Sequence, residues 1–140
     1  MPRSLLKWIA VTLREAGWVP ALMLLLMAFP ARVFNVFTSF PGIDIPIHFL
    51  GGVATGFFFH RLCLNASRMG IFGPYHAVTH GVLVFGLVCA AAVFWEFGEF
   101  ISDQFFGTHA QLSNADTMTD LLLGVSGGVS FVLAFAISRW

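Results

Sequence analysis

Three acid-bearing pairs stand three or four positions apart in this chain: Asp44 and His48, Glu96 and Glu99, Asp116 and Asp120. On a helix that spacing stacks both members on one face. Asp103, four after Glu99, extends the middle pair. Facing helices that each offer such a stripe are how helix bundles build carboxylate and histidine metal sites. The expected ligands are therefore Asp44, His48, Glu96, Glu99, Asp116 and Asp120. Oxygen donors with one or two imidazoles suit Zn, Mn, Fe, Mg or Ca, and no soft ligand points to copper. Burying several carboxylates together is costly unless something offsets their charge. Arg32, His48 and His109 are too few to do so, and a divalent cation would. Asp44, Asp103 and Asp116 sit at predicted helix ends, where capping and contact with water are the alternative explanation. Glu96, Glu99 and Asp120 are flanked by Phe94, Phe97, Phe100 and Leu121 and have no such explanation.

The elements that must position these groups are membrane helices. The 140 residues are 58% hydrophobic and 10% charged, with 17 Phe, too little charge to clothe a soluble domain of this size. The fold class expected is all-α: one polytopic domain, residues 1–140, of four transmembrane helices in a bundle behind a short interfacial helix. Leu5, Leu6, Ile9 and Leu13 recur at helical spacing over 3–16, with Arg3, Lys7 and Arg14 for the wet face. Gly17 and Pro20 mark a break. Spans are expected at about 18–38, kinked at Pro30, then 45–64, 75–100 and 116–139. Gly52 with Gly56, and Gly124 with Gly128, are small-xxx-small pairs that let another helix approach closely, within the chain or in an oligomer.

Four spans return both termini to one side. Arg3, Lys7, Arg14, Arg61, Arg68 and Arg139 fall on that side and Arg32 toward the other, so the termini are expected in the cytoplasm. The acids show the reverse bias, only Glu15 lying with the termini. Since span two starts where span three ends and span four starts, the three pairs share one depth near the outer face. Arg32 falls in the same half of the membrane and needs a partner there.

Other features carry less. Arg14 and Glu15 interrupt the signal-like N-terminus, and Phe29, Pro30 and Arg32 spoil a cleavage site, so the segment is read as mature protein. Cys63 and Cys89 fall at different depths and are not expected to pair. Zero formal net charge argues against nucleic acid as a partner. His76 and His80, four apart, and His60 read as interfacial residues at the inner end. His109 reads equally as an extra ligand or a proton shuttle. A Gly-rich phosphate loop and a serine elbow are both missing; Ser126 lies in a predicted membrane helix.

The order Asp44, His48-Phe49, Trp95-Glu96-Phe97 with Glu99, Gly107-Thr108, and Asp116-Thr117 with Asp120 resembles the small bacterial inner-membrane proteins of the YjdF type. The resemblance covers about 43–128, leaving the N-terminal helix and first span outside it. It implies a multi-pass protein of the bacterial inner membrane and supports the site, but implies no reaction. A similarity to VanZ-like membrane proteins is fainter.

Three functions are compatible with this pattern. One is a metal-dependent hydrolase of a lipid or lipid-linked substrate, with Glu99 as base and Arg32 as anchor for an anionic group. Another is ion or metal transport, opposed by the Gly, Ala, Phe and Val faces below the acids. The third is a structural or accessory subunit of a larger membrane complex, with the cation pinning the helices.

Overall fold

The computed structural model describes residues 3–34 and 41–138, with side chains described over 4–26 and 42–135. It consists of α1 (Arg3–Ala16), α2 (Trp18–Phe34), a 3-10 turn (Pro41–Ile43), α3 (Asp44–Arg68), α4 (Ala77–Phe106) and α5 (Asn114–Ser138). Three of these, α3, α4 and α5 up to Phe135, are long and apolar enough to cross a membrane. A fourth span arises only if α1 and α2, bent by 53°, count as one. The bend falls at the Gly17 expected to break the chain. A Cβ there would press on the Leu13 backbone, 2.6 Å from its carbonyl oxygen.

α3 and α4 run beyond their expected C-terminal ends. α3 continues past Leu64, where Asn65 donates to Thr12 and Glu15 of α1, and it stops at Met69 and Gly70, the latter at φ +70°. α4 continues past Phe100 to Gly107, whose left-handed conformation (φ 62°) closes it. At its start His76 is the N-cap, its ring accepting the Val78 N–H at 3.2 Å.

Glycine decides how the spans pack. A Cβ on Gly52 would collide with the Gly124 carbonyl, one on Gly127 with the Phe49 carbonyl, and one on Gly128 with the Val88 side chain. α3 and α5 thus touch backbone to backbone, and α4 closes over them through buried Val84 and Val88. The small-residue faces are used within the chain. Large apolar side chains such as Phe94, Phe105 and Leu122 point outward, as expected where hydrocarbon is the solvent.

α1 lies against the far end of α3. Trp8 donates its indole N–H to the Leu62 carbonyl at 2.9 Å, Asn65 donates to Thr12 at 3.3 Å and to Glu15 at 2.9 Å, and Arg61 pairs with Glu15. Leu6 and Leu13 remain exposed, so the helix docks through its small and polar face and offers its leucines outward.

Candidate metal centre

Asp44 opens α3, where capping was one expectation for it. The N-cap is instead Ile43, without a side-chain bond, and the Asp44 carboxylate reaches along its own helix to His48, Oδ1 lying 3.2 Å from Nε2. Asp120 approaches from α5, its Oδ1 3.7 Å from the same nitrogen. One ligand atom from each of Asp44, His48 and Asp120 falls within 4.8 Å of the others. His48 is 9% exposed and Asp120 5%. The close glycine contact one turn further along α3 is what lets α5 bring Asp120 this near.

A single proton on His48 Nε2 can satisfy only one of the two carboxylates that face it. A cation between the three groups would bond all of them at once, in the oxygen-and-imidazole donor set of Zn, Mn or Fe.

Glu96, 5% exposed, lies beside this cluster on α4. Gln111 donates its side-chain N–H to the Glu96 carboxylate and main-chain carbonyl, each at 3.1 Å. Gln111 is delivered there by Asp103. That carboxylate accepts the Thr108 hydroxyl and the N–H groups of Ala110 (2.7 Å) and Gln111 (2.9 Å), folding the 107–113 connection back over the helix end. Asp103 therefore positions a neighbour of the cluster and is not part of it.

The remaining expected groups are placed differently. Glu99, half-buried, accepts the Trp95 indole N–H at 2.8 Å. Asp116 turns toward the connection and accepts the Leu112 N–H at 3.1 Å, outside the convergent trio. His109 is exposed at φ 54°, a conformation that suits the turn. The side chain of Arg32 lies outside the described residues.

A cavity of about 270 Å³ opens from the cluster into the bundle. Its ionisable lining is His48, Glu96 and Asp120, Thr55 of α3 turns its hydroxyl to its own helix backbone, and the other walls include Pro20, Met23 and Leu24 of α2, Gly51 of α3, and Ala91 and Ala92 of α4. Of the two glutamates on α4, Glu96 lines this space and Glu99 does not. Among the described residues α2 packs on α3 and α1 and makes at most a marginal contact with α4. Yet both α2 and α4 line the cavity.

Two contributors were given no role from the sequence. Trp95 stands four residues before Glu99, and the helical spacing alone signals their bond. Gln111 reaches Glu96 across a loop, and nothing local announces it.

No curated protein and no solved structure matches the chain. A family model does match, from residue 4 to residue 140, and so takes in the N-terminal helix and first span that the sequence resemblance had left out. In agreement with that resemblance, the chain belongs to the family of predicted membrane proteins described as DUF2238.

Proposed function

We propose that this protein holds a divalent cation on Asp44, His48 and Asp120 and uses it to hydrolyse a lipid or lipid-linked substrate. The observation that carries the reading is the convergence of three ligand atoms within 4.8 Å, two of them from residues that line a cavity whose walls are mostly apolar or small apart from Glu96. The mostly apolar walls suit a hydrocarbon chain, and the lack of more than a marginal contact between α2 and α4 among the described residues offers a sideways entry from the bilayer. The cation would supply Lewis acidity and a nucleophilic water. Glu96, in the cavity wall, takes the role of base that the sequence had given to Glu99, and Gln111 orients its carboxylate. Arg32 keeps its expected role as anchor for an anionic group. On this reading the acidic end faces out of the bacterial inner membrane and the Arg-rich end faces the cytoplasm.

The test is release of fatty acid or phosphate from phospholipid in proteoliposomes. Wild-type protein with added metal is expected to accelerate release. Glu96→Gln should slow it at least about 100-fold, the usual scale of a lost general base, with cation content unchanged. Full cation occupancy without release above protein-free vesicles would instead favour a second reading, a structural cation. That alternative draws support from the ligands' bridging of α3 and α5 just above their closest contact. It predicts that metal removal lowers stability and costs no chemistry.

A further inference from the structure

α1 divides its circumference into three faces. Trp8, Thr12 and Glu15, spaced four and three apart, form the face that docks on α3. Leu6 and Leu13 share a second face and remain 55% and 54% exposed. Lys7 and Arg14, one position further along, fall on a third, which is also exposed. Seven residues make about two turns, so the members of each pair stack, and the three faces lie roughly 100–140° apart. A helix with protein on one side, leucines on another and cations on the third fits the line where a bundle, the acyl chains and the headgroups of a bilayer meet. Trp18, 61% exposed just after the bend, is the residue type that sits at headgroup level.

α3 adds two cations to this corner. Arg61 and Arg68 are again seven apart, and both act electrostatically on Glu15. Arg61 is paired with that carboxylate. Lys7, Arg14 and Arg68 are exposed and form no ion pair among the described residues. Among the described side chains of α1 and of the α3 end, four cations against one carboxylate leave three positive charges in excess.

We propose that this corner binds anionic phospholipid, with Lys7, Arg14 and Arg68 taking headgroup phosphates and Leu6 and Leu13 lying among the acyl chains. A lipid is the occupant because one molecule carries a negative head and an apolar tail side by side, as the basic and leucine faces adjoin on α1. A soluble anion would leave the leucines uncovered. The surface lies at the opposite end of α3 from Asp44 and His48 and shares no residue with the cation site.

The test is native mass spectrometry of the detergent-solubilised protein, titrated with phosphatidylglycerol and with phosphatidylcholine of the same chains. A chelator is present, so that the cation site contributes nothing. Phosphatidylglycerol is expected to bind on the order of 100-fold more tightly, three cations contributing about fivefold each. In the triple variant Lys7→Gln, Arg14→Gln, Arg68→Gln, which spares every residue that docks α1, the two lipids should bind alike. The charge-keeping variant Lys7→Arg, Arg14→Lys, Arg68→Lys should retain the preference. Leu6→Ser with Leu13→Ser should weaken both lipids by at least about tenfold and keep their ratio. Equal binding of the two lipids by wild-type protein would overturn the proposal without any variant, and so would a preference that survives the loss of all three cations. Inorganic phosphate that displaces phosphatidylglycerol at equal concentration would also overturn it, by assigning the cations to a soluble anion.

Discussion

α3 carries two histidines on faces buried in the bundle, His48 and His60, which its helical rise sets about 18 Å apart. They share a helix, a buried setting and glycine neighbours, and they differ in what the next helix brings. At His48, α5 brings a carboxylate to join one already supplied by α3 itself. At His60, α4 brings another imidazole, itself tied to a tyrosine. Two carboxylates around one nitrogen leave excess negative charge, which a divalent cation would offset. Two imidazoles bring no carboxylate to each other, and the bond between them is carried by a ring proton. The chemistry at each end is thus set by the neighbouring helix, not by the histidine.

The largest expected effect comes from separating the ends mechanically. Gly52→Val forces a side chain into the Gly124 backbone, which cannot move aside as a side chain can. Loss of at least about 3 kcal/mol of stability is expected, read by denaturation in micelles. The damage should be one-sided, abolishing cation binding while the hydrogen bond between the His60 and His80 rings, an α3–α4 contact, survives.

Exchanging the histidines separates the ends chemically. His48→Gln should weaken cation binding by at least about 100-fold, more than the loss of a supporting group costs at metal sites, whereas His60→Gln should leave it unchanged. Cation binding needs unprotonated carboxylates and a neutral imidazole, so it falls as pH falls. Calorimetric metal titration at several pH values checks both the variants and the pH response.

Smaller effects sort the acids by role. Asp103→Ala removes the acceptor for three loop hydrogen bonds and is expected to cost about 1–2 kcal/mol, with cation content kept and Glu96 less well oriented. Tyr75→Phe, the mildest, should cost about 1 kcal/mol. It removes the hydroxyl beside His80, so its mark is confined to that end, with no change in cation binding.

Much of the acidic end was legible because its signals are local or topological. Asp44 and His48 are four apart within one helix, and the up-and-down order of the spans put Asp120 and Glu96 at their depth. Depth does not set rotation, however, and rotation decided that Asp120 joins the cluster while Asp116 turns to the loop. The histidine end was less legible for the same reason. His76 and His80 have helical spacing, but His76 is the N-cap in extended conformation (ψ 153°), so the spacing does not place the two rings on one helix face. The partner of His80 is His60, brought near by the packing of α3 on α4. Sequence separation carries no trace of that. The number of spans was similarly half visible: Gly17 announced the break, but not that α1 would bend back onto α3 through Trp8 and Thr12.

The central claim is that Asp44, His48 and Asp120 hold a divalent cation, and elemental analysis of protein purified gently into nanodiscs tests it most directly. Wild-type protein is expected to carry one divalent cation per chain. Asp120→Asn, which preserves shape and removes the charge, should carry almost none while keeping its helical content. Wild-type protein that takes up no divalent cation even after incubation with Zn, Mn, Fe, Mg or Ca, or an Asp120→Asn variant as fully loaded as wild type, would contradict it.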